Sequence, residues 1–295
     1  MEPFRSNAAL GTAAAPDREE AHWQAHLQLE FATDRGTTRL VDCRHSGPLR
    51  VQKPLYPEGA QICHAVVLHP PGGVVGGDQL TLHARVGAGA HAVLTTPGAA
   101  KWYRANGKTS RQTLHFDAAD GACLEWLPQE SIFFDSADVA LTQTVDLAGT
   151  ATYIGAEICC FGRTAQGETF SSGNLAQRIQ LRRDGQLIWW EQGSLGGGSA
   201  AMHSPLGLAG NSVCATLLAA GKPVPAALLE KIRQDVEVLA GGRGEFGISQ
   251  RKSLLVARYL GTSSEFARQI TLCVWQHLRP ALTGWPAEVP RIWNT

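Results

Sequence analysis

"TLHARVGAGAHAVLTT" (81–96) decides the fold, because its plan returns twice: "TLHFDAADGACLEWLP" (113–128) and "TQTVDLAGTATYIGAE" (142–157). Each reads as strand, glycine turn, strand. Leu80, Leu82, Ala84 and Val86 share one face before the first turn. Ala122, Leu124 and Trp126 share one after the second, and Val139, Leu141, Val145 and Leu147 one before the third. Strict alternation marks a strand with a buried and a wet face. The turn glycines Gly89, Gly121 and Gly149 recur at nearly even spacing. A repeat of that length, roughly 30 residues, points to hairpins stacked into a solenoid-like body. A plain sandwich meander fits the same spacing.

The alternation extends outward from this repeat. In "WQAHLQLEF" (23–31), Trp23, Ala25, Leu27, Leu29 and Phe31 fall on one face. His22, Gln24, His26, Gln28 and Glu30 fall on the other. The i, i+4 pair His22 and His26 therefore rides the wet side of a strand, and Trp23 stands where a helical zinc motif needs Glu. Downstream, "LAQRIQLRRDGQLIWWEQ" (175–192) reads as a hairpin turned by Asp184-Gly185, a type I′ pair. The β body thus spans about 22–192. A glycine-rich connector (193–211) leads to a β/α tail (212–295). In the tail, "AALLEKIRQDVEVLA" (226–240) puts Leu228, Leu229, Ile232, Val236 and Leu239 on one helical stripe. "TSSEFARQITLCVWQHL" (262–278) opens on a Thr262-x-x-Glu265 capping box, with Phe266, Ile270, Cys273, Val274 and His277 as its stripe. "EFGISQRKSLLVARYLG" (245–261), between the helices, reads as a strand. The expected fold is mainly β, with about two helices near the C-terminus, in one domain over 21–295.

Composition narrows the function. The 295 residues are 44% hydrophobic, and Lys+Arg and Asp+Glu balance at 26 each. A neutral chain lacks the basic excess of nucleic-acid or polybasic membrane binders. No run of about 18 apolar residues offers a membrane span. Residues 1–20 read as a mobile leader rather than a signal peptide, which places the protein in the cytoplasm. The seven cysteines are scattered without a C-x-x-C, against a disulfide framework or structural zinc site. Adjacent Cys159 and Cys160 sit in a strand and point to opposite faces, so they read as separate buried thiols.

Nucleotide motifs fail on context. Gly242-Arg-Gly-Glu-Phe-Gly247 matches G-x-G-x-x-G but follows a helix and enters a strand, the reverse of a dinucleotide site. There is no G-x-x-x-x-G-K-[ST] and no G-x-S-x-G. Carboxylates bracket the β body at Asp78, Glu125, Glu130, Asp135, Glu157 and Glu168. Two of them could serve a glycan-binding protein or a hydrolase working by paired carboxylates. Glu157 interrupts the apolar run "ATYIGAEICCF" (151–161), on the face of Tyr153, Gly155 and Cys159. A carboxylate there must be paired, hydrogen-bonded or wet. It either lines a passage or metal contact, or makes a buried salt bridge to an arginine such as Arg163. "HPPGGVVGGD" (69–78) is a turn between strands, whose glycines allow positive φ or close packing. His69 and Asp78 are too few ligands for a closed metal site.

Five phrases, taken together and in order, resemble one family. "HPPGGVVGGDQLTL" (69–82), "TTPGAAKWYRANG" (95–107), "LEWLPQESIFFDSA" (124–137), "GAEICCFGRTAQGETFSSG" (155–173) and the terminal "RIWNT" (291–295) resemble the urease accessory protein UreD, called UreH in some organisms. The resemblance covers about 22–295. It implies a helically stacked β body and no catalytic site or stably bound cofactor in this chain. It also implies a role as scaffold or chaperone, docking on apo-urease and on UreF, which holds the GTPase UreG. UreE supplies nickel upstream, and Ni²⁺ is in transit to the urease active site. In that setting Asp78, Glu157 and Glu168 are the candidate lining of a nickel route. Lys101, Trp102, Tyr103 and Arg104, mixing cations and aromatics, are candidate interface residues. The competing reading remains the β-solenoid glycan binder or hydrolase.

Overall fold

The structure, a computed structural model, describes residues 22–294. The expected leader lies outside the described residues. β1 (Gln24–Asp34) and β2 (Thr37–Ser46) form a hairpin, followed by the short β3 (Arg50–Val51) and β4 (Ile62–Leu68). Next come β5 (Gln79–Val86), β6 (His91–Thr95) and β7 (Ala100–Trp102), then β8 (Ser110–Ala118), β9 (Cys123–Leu127) and β10 (Ser131–Phe133). β11 (Asp138–Leu147) and β12 (Thr152–Phe161) complete the repeat, and β13 (Asn174–Arg183) and β14 (Gln186–Gly196) follow. The C-terminal part holds α1 (Ala200–His203), β15 (Val213–Ala220), α2 (Ala226–Ala240), β16 (Glu245–Arg251), β17 (Leu254–Gly261) and α3 (Ser264–Thr283).

The repeating unit is a coil, not a hairpin, which corrects the sequence expectation. β5 and β6 flank the Gly89 turn but do not pair. β5 runs parallel to β8 and β8 to β11, while β6 runs parallel to β9 and β9 to β12. Each glycine turn carries the chain from one sheet to the other, so a strand pairs with its counterpart one period later. The result is two facing sheets, β14-β13-β11-β8-β5-β1-β2 and β16-β17-β15-β12-β9-β6-β4-β3. The stacked reading of the repeat therefore holds over the plain meander. A third side appears where β7 pairs with β10 and β10 with β12, all parallel.

One core fills the space between the sheets, from Leu27 and Phe31 through Leu94 and Phe116 to Leu181. A second lies between the ten-stranded sheet and the helices. β12 touches both, which explains its nearly unbroken apolar run: Tyr153, Cys159 and Phe161 face the first core, and Ile154, Ile158 and Cys160 the second. Cys159 and Cys160 do point apart. Trp23 precedes β1 and is 49% exposed, unlike the buried Ala25, Leu27, Leu29 and Phe31.

The tail is less separate than its composition implies. β15, β17 and β16 extend the ten-stranded sheet antiparallel from β12. The segment expected to be one strand is the β16–β17 hairpin, turned at Lys252 with φ 54°. The glycine-rich connector carries the end of β14 and the one-turn α1, and it is packed: a Cβ on Gly197 would lie 2.4 Å from the Ser172 carbonyl oxygen. α2 buries Leu229, Ile232 and Val236 as its stripe requires. α3 is capped by Ser263, whose hydroxyl accepts from the Phe266 N–H at 3.2 Å, one residue later than the expected Thr262. It buries Phe266, Ile270, Val274, Trp275 and Leu278.

Candidate functional site

Alternation along β12 aims Tyr153, Glu157 and Cys159 at the seven-stranded sheet. On that sheet Gln112, Leu141 and Gln177 stand on one rung, and Leu114, Gln143 and Ile179 on the next inward rung. These residues, with Thr142, Arg178 and Glu157, line a small cavity of about 10 Å³ between the sheets, room for roughly one water. The Gln177 side-chain amide donates to the Glu157 carboxylate. The Gln143 amide donates to the Tyr153 hydroxyl at 2.6 Å. Tyr153 lies back along its own strand, and a Cβ on Gly155 would meet its hydroxyl at 1.9 Å, so glycine is required there.

Among the described residues no arginine forms an ion pair with Glu157. Arg163 instead pairs with Glu168 and sits over the Phe134 ring at 4.3 Å. Burial pushes the Glu157 carboxyl up to about 7; the hydrogen bond from Gln177 opposes this and the nearby charge of Glu191 adds to it. The chamber therefore holds one carboxyl poised to exchange a proton near neutrality, with Gln112, Gln143, Gln177 and Arg178 along the facing sheet. The glutamines were missed in the sequence, yet two of the three carry the signal that singled out Glu157, a polar residue inside an apolar stripe: Gln143 between Leu141 and Val145, Gln177 between Leu175 and Ile179.

The other proposed route residues lie elsewhere. Asp78, 3% exposed, spends its two oxygens on the backbone N–H groups of Trp23 and Val75, both at 3.0 Å. It fastens the "HPPGGVVGGD" turn to the start of β1. Glu168 accepts from Arg163 and from the Asp135 N–H at 3.1 Å, which holds its carboxyl below the usual range. Neither lines the Glu157 chamber. Of the interface candidates, Lys101 and Arg104 are exposed and Tyr103 is half-buried. Tyr103 packs over Gly73, where a Cβ would come within 2.3 Å of its ring. Trp102 corrects the expectation: it is 0% exposed and starts a ladder of rings with Phe133 and Phe161.

A second polar cluster fixes α3 to the coils. Glu125 accepts from His91 Nε2 at 2.6 Å, Trp275 Nε1 at 2.7 Å and Arg279 Nε at 2.9 Å. Arg279 reaches on to Glu58, which also meets His64 Nε2 at 2.6 Å. Burial works to raise both carboxyls, but the hydrogen bonds from His91, His64 and Arg279 prevail and hold them low. His91, Cys123 and Glu125 are close enough to share a cation. Arg279 already supplies the positive charge there, so the cluster reads as a lock between helix and coil. The remaining sequence carboxylates are also taken singly: Glu130 pairs with Arg268, and Asp135 accepts from Ser171 and Ser172.

The geometry defines a two-sheet β-solenoid, capped by helices, with the Glu157 carboxyl set between its sheets. The family model described as "UreD urease accessory protein" matches residues 24–294. A urease accessory protein UreD of Janthinobacterium sp. (strain Marseille) is 58% identical over 92% of this chain and 92% of its own length. One of Nitrosospira multiformis is 52% identical over 92% of this chain and 98% of its own, and one of Methylobacillus flagellatus 47% identical over 96% and 98%. These matches set the chain among the accessory proteins of urease. Within that class, it belongs to the UreD family. Among the described residues, no helix is long and apolar enough to cross a membrane.

Proposed function

We propose that this chain is the scaffold of a urease activation complex: it binds apo-urease and a UreF–UreG assembly and passes Ni²⁺ toward the urease active site. The carrying observation is the chamber inside the solenoid that Glu157, bonded to Gln177, shares with Gln112 and Gln143. Ni²⁺ binds nitrogen and oxygen donors tightly, so transit demands few, weak contacts rather than a closed cage. One carboxylate with glutamine side chains beside it is such a set. A carboxyl titrating near 7 releases its proton as a cation arrives and takes one back as it leaves. Asp78 and Glu168 serve this reading by holding loops.

Nucleotide hydrolysis belongs to the partner in this scheme, in keeping with a sequence that carries no P-loop. Co-expression with UreF tests the scaffold role: the two chains should co-purify as a stable complex, and UreG should join only when UreF is present. Recovery of this chain free of UreF under those conditions would overturn it.

A further inference from the structure

We propose that the groove between β14 and the β16–β17 hairpin docks an extended, acidic segment of a protein partner, which adds as a strand to β14. β14 ends the seven-stranded sheet and β16 ends the ten-stranded one, so two sheet edges face one groove of about 850 Å³. Free edges are ordinarily blunted by Pro, Lys, bulges or a covering element. β16 is so treated: Arg233, on α2, donates to the Ile248 carbonyl at 2.9 Å. β14 is not. Its eleven residues, "QLIWWEQGSLG", contain neither Pro nor Lys, and Leu187 and Trp190 stand 54% and 48% exposed. An edge of that length and character is a template for another strand.

The groove's charge selects the partner. Arg251, Lys252 and Arg258 line it, and no carboxylate does. Arg258 is paired with Glu191 at 2.7 Å, bridging the two sheets beside the groove. Among the described residues, Arg251 and Lys252 have no ion-pair partner. The apolar wall comes from Ile188, Trp189, Leu254 and Val256. A strand alternates its side chains, so a segment laid on β14 would send one set against this wall and the other to the cations. Alternating apolar and acidic residues satisfy both. The inference stands apart from nickel transit, and its failure would leave that reading untouched.

The test uses the full chain and a fluorescein-labelled peptide of alternating Val and Glu, about ten residues long, read by anisotropy at low salt. The acidic peptide should bind, and its Val-Lys counterpart should not. A version N-methylated at alternate amides should lose binding, because strand addition runs through the backbone. Arg251→Glu should weaken the acidic peptide by about tenfold or more. Lys252→Asn should weaken it less; Asn tolerates the positive φ at that turn and keeps the fold. Equal binding of both peptides, no binding of the acidic one, or full binding by the N-methylated peptide or by Arg251→Glu would overturn the proposal. So would self-association of the chain abolished by Trp190→Lys, which would assign the edge to a second copy.

Discussion

Gln177 on β13 donates its side-chain amide to the Glu157 carboxylate on β12, joining the two sheets through their shared core. That bond does not offset the burial, for the carboxyl still titrates near 7 against an ordinary 4.5. Between those values the folded chain holds the proton more tightly than the unfolded chain. Stability therefore falls as pH rises from 4.5 to 7 and is level above. The total is on the order of 3 kcal/mol, an upper figure because Glu157 keeps some contact with solvent. Glu157→Gln should be more stable than the natural chain at pH 8, with the difference vanishing by about pH 5. Urea denaturation of both proteins across that range measures it; a difference independent of pH would contradict the burial argument. A carboxylate that costs stability at neutral pH is retained for another reason, and a metal route supplies one.

Arg279→Ala should be severe. It leaves Glu125, fully buried, and Glu58, nearly so, without their shared cation. Removing one partner of such a buried pair costs about 3–5 kcal/mol. Because both carboxyls are held low in the fold, this contribution is present above the ordinary carboxylate range and fades as pH falls through their folded values. Acid should accordingly loosen α3 from the coils, seen as early loss of amide protection in α3 by hydrogen exchange.

Trp102→Ala distinguishes core from interface. As the first ring of the Trp102–Phe133–Phe161 ladder it should cost about 3–5 kcal/mol in the isolated protein. Lys101→Ala and Arg104→Ala should stay within about 0.5 kcal/mol. Thermal unfolding of the three variants decides this.

Gly155→Ala should destabilise by about 1–3 kcal/mol, since its methyl group would displace the Tyr153 ring from β12. Loss of the Gln143–Tyr153 hydrogen bond should accompany it, visible as a change in tyrosine ultraviolet absorption.

Strand positions, the two long helices and the stacked character were legible because alternation and helical period are local properties. Pairing was not. A hairpin and a turn that crosses between sheets have the same sequence form, and only contacts one full repeat apart separate them. The aromatic ladder carried that distance all along: Trp102, Phe133 and Phe161 recur at nearly the spacing of the turn glycines Gly89, Gly121 and Gly149. Treating Lys101 to Arg104 as one patch overlooked that a strand buries every second residue. Glu157 was visible as a break in an apolar run, but its partner is an amide on the facing sheet, fixed by how two distant strands stack. Arg279 lies one turn beyond Trp275 on the buried side of α3, and nothing local marks its reach to Glu58.

The nickel route stands or falls on urease activation by Glu157→Ala in cells that supply UreE, UreF, UreG and apo-urease. The variant chain should co-purify with UreF as the natural chain does, while the nickel content and activity of the urease fall by about tenfold or more. Natural levels of active, nickel-loaded urease from a stably assembled Glu157→Ala complex would contradict it.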